Sequence, residues 1–246
     1  MAIAFDNAAS TSSASNVASL TTGAWTIAGS DRIVMGGILS GAGSPVDPAN
    51  MKWGGSGGTD LTKRGATVDI GAFVKVSQYS LVAPTAESNT LYGSWGSNQD
   101  ETAIGGASYT GVDQTTPHGT QASATGNGAN PTATVNVNSA SGELVVDVVG
   151  ALQTDGDITT LVAGASQTAR VDIDNVGGIA FECFGMSEEA GGATVTMSWD
   201  IDTTGGGDTE WGIIGIPLKP AGAAAAGGLL VGGILVNGLL ARGLAG

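Results

Sequence analysis

The sequence predicts an all-β protein: an antiparallel jelly-roll β-sandwich followed by a Gly/Leu-rich C-terminal assembly segment. Short apolar runs recur along the chain, and turn sequences such as GGSGGTD, TGNGANP and TTGGGD separate them. No window long enough for a helix shows helical periodicity with caps before the last residues. The last residues follow a five-residue rhythm that sets them apart from the sandwich. We therefore divide the chain into a sandwich domain, residues 1–220, and a tail, residues 221–246.

Several segments alternate apolar and polar residues, which is typical of strands with one buried face. The sequences ATVNVN, ELVVDVV and ATVTMSWDI show this pattern most clearly. Strands are predicted at residues 3–5, 17–20, 24–27, 32–39, 51–53, 73–82, 90–95, 103–109, 133–137, 143–149, 169–173, 179–184, 193–201 and 210–218. Residues 115–134, rich in Thr, Gly, Ala and Asn, are expected to form a long surface loop between the two halves of the sandwich.

The composition excludes several classes of function. The formal net charge is −14 with only 8 Lys and Arg residues, and such a chain repels nucleic acid. The single cysteine, Cys183, cannot form an intrachain disulfide, and we expect it to be a buried small hydrophobe. The N-terminal sequence lacks the basic and apolar regions of a secretory signal. We therefore expect synthesis in the cytoplasm without a signal peptide.

No catalytic site is expected. The single histidine, His118, lies in the loop sequence DQTTPHGTQ, with no glycine-flanked serine elbow and no cysteine nearby in sequence to supply a nucleophile. Trp199 and Trp211 lie in alternating strands, where core packing explains them better than sugar stacking does. We predict that the protein is not an enzyme and that it has no cofactor.

Two pairs of aspartates are candidate calcium ligands. Asp155 and Asp157 lie in a turn, and Asp200 and Asp202 precede the GGGD turn. Residues two apart in a strand share a face, so each pair could present two carboxylates to one ion. Calcium takes about six to eight oxygen ligands, and neither pair matches the spacing of an EF-hand loop. The alternative, that these carboxylates simply face solvent, stays open.

The tail ends in the units GGLLV, GGILV, NGLLA and RGLAG. A period of five keeps apolar residues on one face of neither a helix nor a strand. We expect the aliphatic residues to be buried between copies of the chain or against a partner: Leu229, Leu230, Val231, Ile234, Leu235, Val236, Leu239 and Leu240. Residues 221–241 carry no charge and could reach across a membrane, but their frequent glycines disfavour a membrane helix.

The chain also resembles a known group of proteins in the segments SDRIVMGGIL, MKWGGSGGTDLTKRGA, YSLVAPTAESNTLYGSW, ASYTGVDQTTP, SGELVVDVVG, ATVTMSWDID and EWGIIGIPLKP. These segments are similar to jelly-roll, concanavalin-like β-sandwich structural proteins of phages and bacteria, whose chemistry is unassigned. Such phage proteins often end in glycine–leucine repeats. The resemblance implies a sandwich fold and a place in a virion, and it supplies no catalytic residues.

These observations predict a phage virion structural protein on the exterior of a capsid or tail: a decoration, spike or fibre-associated subunit. Its expected partners are copies of itself, as a trimer by analogy with viral jelly rolls, and other virion proteins. A host glycan is a further expected ligand, whereas nucleic acid and membrane are not expected. The alternative is a bacterial or archaeal surface adhesin, or an extracellular filament subunit, with glycan-binding loops.

Overall fold

The computed structural model describes residues 2–41, 43–178, 181–205 and 207–222. Within these ranges the chain is all-β, with antiparallel sheets and no α-helix. The strands of the first half are β1 (Ala4–Ser13), β2 (Val17–Thr21), β3 (Trp25–Thr26), β4 (Ile33–Gly41), β5 (Pro48–Trp53), β6 (Thr59–Asp60), β7 (Thr62–Ile70), β8 (Val74–Val82), β9 (Ser88–Asn89), β10 (Leu91–Gln99) and β11 (Glu101–Thr110). Those of the second half are β12 (Ala122–Gly128), β13 (Thr132–Asn138), β14 (Leu144–Gln153), β15 (Ile158–Ala163), β16 (Thr168–Ile173), β17 (Glu182–Ala190), β18 (Thr194–Thr203) and β19 (Thr209–Leu218).

Strands of the first half pair in a nested order. The outermost pair is β1 with β11, followed inward by β2 with β10, β4 with β8 and β5 with β6. Two large sheets result: a first inner sheet, β1-β11-β4-β8-β7, and a first outer sheet, β2-β10-β5-β6. Strands β3 and β9 pair in a separate two-stranded sheet. In this half, early strands therefore pair with late strands in antiparallel fashion, and the two sheets pack against each other around one core.

The second half repeats this order. Its first strand, β12, pairs with its last, β19, and β13 with β18 and β14 with β17 lie inside that pair. The second inner sheet is β12-β19-β14-β17-β16, and the second outer sheet is β13-β18-β15. The pair of sheets that the sequence predicts for one sandwich is thus found twice, once in each half of the described chain.

The four larger sheets stack as outer, inner, inner and outer layers, with three hydrophobic cores between them. The core of the first half contains Trp25, Trp53 and Trp95, and the core of the second half contains Trp199. The third core, which we call the seam, lies between the two inner sheets and includes Phe184. The halves are therefore joined by packed side chains as well as by the polypeptide.

Glycines let the two inner sheets approach each other across the seam. A Cβ atom on Gly37 of β4 would lie 2.9 Å from a γ-carbon of Val148. In the reciprocal place, a Cβ atom on Gly150 of β14 would lie 2.9 Å from a δ-carbon of Leu39. Each inner sheet thus lacks a side chain where the other inserts one. This interdigitation makes a tightly packed interface, in which an added methyl group has no room.

Burial on two faces explains why the inner strands do not alternate in sequence. Every residue of β4, IVMGGILSG, is buried because one face meets the first outer sheet and the other meets the seam. In contrast, β13, TATVNVN, alternates exposed and buried residues along its whole length, because one of its faces meets solvent. Continuous apolar runs therefore mark the middle of the stack, and alternating runs mark its outer layers.

The predicted long loop at residues 115–134 is wrong in its central part. Residues Ala122–Gly128 form β12, which pairs with β19 along its full length. Its sequence, ASATGNG, has too few large apolar residues to signal a strand. As an edge strand it depends on the backbone hydrogen bonds that β19 offers, and composition does not reveal them. Strand β1 is also an edge strand and depends on pairing with β11, so it extends to Ser13 instead of ending at residue 5 as predicted.

Candidate functional site

A pocket of about 260 Å³ opens at one edge of the seam. We call it the seam pocket, and both halves of the chain contribute to it. Its lining residues are Gly43, Phe73, Glu101, Leu152, Gln153, Thr154, Phe181 and Glu182. The size lies below the roughly 300–1,000 Å³ of pockets for drug-sized ligands. The seam pocket therefore suits a small ion or a single side chain.

The carboxyl group of Glu182 is the more buried of the two carboxyls that line the seam pocket. Glu182 is the first residue of β17, and its side chain is only 4% exposed. Because side chains alternate along a strand, it faces the seam together with Phe184. The carboxyl lies against the backbone of Gly41, where a Cβ atom would overlap both of its oxygens. Glycine at the end of β4 thus leaves the space that Glu182 occupies.

Glu182 lacks the hydrogen bonds that buried carboxyls normally have. Its Oε2 atom is buried and has no hydrogen-bond partner among the described residues. No ion pair in the described ranges involves Glu182 or its neighbour Glu101. A buried polar group without a partner costs about 1–3 kcal/mol, so its presence needs a reason.

Burial and a second carboxyl both disfavour the charge on Glu182. Burial, followed by the field of Glu101, raises the pKa of Glu182 to about 9. Burial also raises the pKa of Glu101, and the neighbouring charge of Asp100 adds to that rise. Since each pKa is raised, the pocket lacks positive charge to balance its carboxyls.

Two phenylalanines form the apolar walls of the seam pocket. Phe73 is 45% exposed and Phe181 is 46% exposed. They occupy corresponding places in the two halves: Phe73 immediately precedes β8, and Phe181 immediately precedes β17. The repeated strand order thus brings one aromatic ring from each half to the same opening.

A different buried carboxylate, Asp147, lies in the core of the second half. It is completely buried, and its Oδ1 accepts hydrogen bonds from the Ser187 backbone N–H at 2.7 Å and the Ser187 hydroxyl at 2.9 Å. Its Oδ2 accepts from the Trp199 indole N–H at 2.9 Å and from the Gln167 amide at 3.4 Å. Burial raises the pKa of Asp147 to about 6, although these hydrogen bonds oppose the rise.

The four predicted calcium ligands are exposed at the surface. Asp200 and Asp202 share the exposed face of β18, as predicted, and accept hydrogen bonds from the Thr132 and Thr160 hydroxyls at 2.7 and 3.1 Å. Asp155 and Asp157 lie in the turn between β14 and β15. Across the described ranges, no group of three or more His, Cys, Asp or Glu side chains could hold a metal ion. Calcium at these aspartates stays a prediction.

The eight predicted assembly residues of the tail lie outside the described residues. The described chain ends at Gly222, where Val112 and Pro220 form a bridge and the Ala221 N–H donates to the Gly111 carbonyl at 2.8 Å. Strand β11 runs from Glu101 beside the seam pocket to Thr110 beside this exit, roughly 30 Å away at about 3.3 Å per residue. In the part of the chain that the structure describes, no helix is long and apolar enough to cross a bilayer.

The single cysteine, Cys183, and the single histidine, His118, differ in how well their environments match the expectations from the sequence. Cys183 is buried and free, as expected. His118 is not fully solvated as expected, because it is half-buried and bridges to Leu218. Burial, with the charge of Arg64, lowers the pKa of His118 to about 4. It is therefore neutral near pH 7.

The residues of the seam pocket were not predicted from the sequence, although one signal was present. In the strand sequence FECFG, residues two apart share a face. Glu182 is therefore expected on the same face as the apolar Phe184, and to be buried with it. Which residues it would meet there depends on contacts between the two halves, and no local pattern encodes them. Comparisons of the chain with protein-family models, with curated proteins and with solved structures gave no match.

Proposed function

We propose that the chain is a structural subunit of a phage virion: an exterior decoration, spike or fibre-associated protein that assembles through its C-terminal repeat. The observation that best supports this is the nested pairing of first with last strands in both halves. This wrapped order of strands in two sheets is typical of jelly rolls, an architecture found in viral capsid proteins. We therefore propose that each half of the chain is a jelly roll. The proposed role is one of structure and assembly, without turnover.

We call residues 1–220 the head. The described surface of the head supports the proposal that assembly depends on the tail instead of on the head. Among the described residues, the exposed large hydrophobic side chains are Phe73, Val162 and Phe181. Phe73 and Phe181 meet at the seam pocket and Val162 lies in β15, and these three residues are too few for the contiguous apolar patch that a stable interface needs. The strong negative charge keeps the two-sandwich head apart from other acidic surfaces. Assembly therefore falls to the apolar tail, residues 221–246.

Mass photometry of the intact chain and of a truncation after Pro220 tests this assembly role. The intact chain is expected to form a defined oligomer, with three copies as the first expectation, and the truncated chain is expected to be monomeric. Leu235→Asp in the intact chain should also dissociate the oligomer, because a charge among the aliphatic residues must then be buried. Equal oligomer size for the intact and truncated chains would remove the proposal.

The place of the protein in a particle needs a separate test. Genes for portal, capsid or tail proteins beside its own gene would support the virion proposal. A neighbouring secretion locus would instead favour the surface adhesin or filament subunit. A glycan array, probed with and without calcium, distinguishes these two further, because an adhesin of this kind must bind a glycan.

A further inference from the structure

We propose that the seam pocket is a binding site for an organic cation, a protonated amine or guanidinium group, held between the carboxyls of Glu101 and Glu182 and the rings of Phe73 and Phe181. This inference does not depend on the virion proposal. It concerns a site at the end of the head roughly 30 Å from the place where the tail begins, at about 3.3 Å per residue of β11. A particle attached through the tail would leave this end free.

The unpartnered Oε2 atom of Glu182 is the first reason for the proposal. It is buried beside the pocket without a donor, and the space for it exists because Gly41 has no side chain. The Gln153 amide, which also lines the pocket, donates from Nε2 to the Gly207 carbonyl at 3.1 Å, and no described group donates to the Glu182 Oε2 atom. A ligand with N–H groups would supply the hydrogen bond that the protein itself does not.

The second reason is the charge of the lining. Two carboxyls meet here, and the lysines and arginines that form ion pairs in the described ranges pair with other acids: Lys52, Lys63, Lys75 and Arg170. One positive group would stabilise the ionised forms of Glu101 and Glu182 together. A neutral ligand would not stabilise the ionised form of Glu182, which burial and the field of Glu101 disfavour.

The aromatic walls favour an organic cation over a metal ion. A cation near the face of an aromatic ring gains about 0.5–2 kcal/mol, and phenylalanine has no polar atom that could ligate a metal. Calcium takes about six to eight oxygens, and the described residues hold no metal-ligating group of three or more acids, histidines or cysteines. The alkyl stem of an amine can contact the rings of Phe73 and Phe181 while its charged end reaches Glu182.

The cation could come from a free small amine or from a lysine or arginine side chain of another protein. Both present the same chemistry, so the test uses a probe for each source. Butylammonium represents the free amine, and a tripeptide with blocked ends and a central lysine represents the side chain. Their neutral counterparts are 1-pentanol and the same tripeptide with norleucine.

Ligand-observed saturation-transfer NMR on the intact chain measures all four probes. At least one cationic probe should bind saturably, and its neutral counterpart should bind at least tenfold more weakly. Tighter binding of butylammonium indicates a free amine, and tighter binding of the lysine peptide indicates a partner protein. Equal affinity for a cationic probe and its neutral counterpart would overturn the proposal, as would the absence of saturable binding by both cations.

Two substitutions and one control locate the binding. Glu182→Gln keeps the side-chain shape and should weaken the cationic probe at least tenfold, whereas the exposed Glu87→Gln should bind like the wild type. Phe181→Ala, at a position that is 46% exposed, should weaken binding several-fold. If Glu182→Gln alters folding, Glu101→Gln tests the same charge from the other strand. Unchanged affinity in the correctly folded carboxyl variants would place the cation elsewhere and refute the assignment.

Proton release gives a readout that nonspecific binding does not produce. Glu101 is the charged group whose field acts on Glu182. The pKa of Glu182, raised to about 9, keeps the Glu182 carboxyl protonated near pH 7. Pairing with a cation requires Glu182 to ionise, so binding should release a proton. Calorimetry in two buffers of different ionisation enthalpy measures that release. Glu182→Gln should abolish it, and binding of the cation with no proton release in the wild type would contradict the proposed pairing.

Discussion

Two buried carboxyls in neighbouring cores of this protein have opposite surroundings. Asp147, in the core of the second half, receives hydrogen bonds from Ser187, Trp199 and Gln167. Glu182, at the edge of the seam, has a buried oxygen without any partner among the described residues. Burial raises the pKa of both, but to about 6 for Asp147 and to about 9 for Glu182. Both carboxyls are almost completely removed from solvent, so the difference lies in the donors around Asp147 and in the field of Glu101 beside Glu182.

This comparison separates a structural polar group from one that is available to a ligand. The donors around Asp147 connect β14 with β17 and β18, so its carboxylate fixes the packing of the second sandwich. No such connection explains Glu182, which borders an open pocket instead. Burial of a carboxyl alone therefore does not indicate a binding function. A buried carboxyl that lacks hydrogen-bond partners and lies beside a pocket, as Glu182 does, is a candidate for ligand binding.

The largest expected effect is the loss of stability in Asp147→Ala. The substitution leaves the Trp199 indole N–H and the Ser187 backbone N–H buried without an acceptor, at a cost of about 1–3 kcal/mol for each group. We expect the free energy of unfolding to fall by about 3–5 kcal/mol, measured by urea denaturation near pH 7. The exposed Asp208→Ala is the matched control and should change stability by less than about 0.5 kcal/mol. A loss of similar size in both variants would contradict a structural role for the Asp147 hydrogen bonds.

Glu182→Gln should act in the opposite direction, and its effect should depend on pH. The folded-state pKa of Glu182, about 9, lies above its ordinary value of 4.5. The stability linked to its protonation is therefore complete below about pH 4.5 and is lost as the pH rises toward 9. Since a one-unit shift corresponds to about 1.4 kcal/mol, Glu182→Gln should be more stable than the wild type at pH 8 by a few kcal/mol.

The same denaturation experiment at pH 4 provides the internal control for Glu182→Gln. Here the wild-type carboxyl is protonated in both the folded and the unfolded state, so the two proteins should be nearly equal in stability. Glu87→Gln should follow the wild type at both pH values, since Glu87 is exposed. A constant difference between Glu182→Gln and the wild type at both pH values would show that ionisation is not the cause.

Gly37→Ala tests the tightly packed part of the seam, away from the pocket. The new methyl group would lie 2.9 Å from γ-carbons of Val148, which a short branched side chain cannot easily relieve. We expect a loss of about 1–3 kcal/mol in the free energy of unfolding. Gly96→Ala, also in a strand but with open space at its Cβ, should be neutral or slightly stabilising. Equal tolerance at both positions would mean that the halves pack less closely than the structure indicates.

The smallest expected effect concerns an exposed carboxylate, Asp200. Thr132→Val removes the hydroxyl that donates to Asp200 at 2.7 Å, at the surface of the second outer sheet. Water can replace this bond, so the free energy of unfolding should change by less than about 0.5 kcal/mol. Thermal unfolding with and without calcium on the same variant also tests the predicted ion site. A large loss of stability would place Asp200 with Asp147 among the structural carboxylates.

The sequence was sufficient for the all-β class and for many strands, because alternation and turns are local signals. The outer strands β13 and β18 show this, since their sequences alternate as their burial does. It was insufficient for β12, whose small polar residues depend on pairing with β19. It was also insufficient for the seam pocket, because Glu101 and Glu182 meet only after two distant halves have packed together. Trp199 was correctly predicted as a core residue, but its hydrogen bond to Asp147 was not.

Carboxyl-carbon NMR of the intact protein, titrated with and without butylammonium, measures both buried acids in one experiment. In the free protein, Glu182 is expected to titrate near 9 and Asp147 near 6. Saturation with the amine should lower the pKa of Glu182 and leave that of Asp147 in place. A Glu182 carboxyl that titrates near its ordinary value of 4.5, or one that does not respond to the amine, would contradict the account.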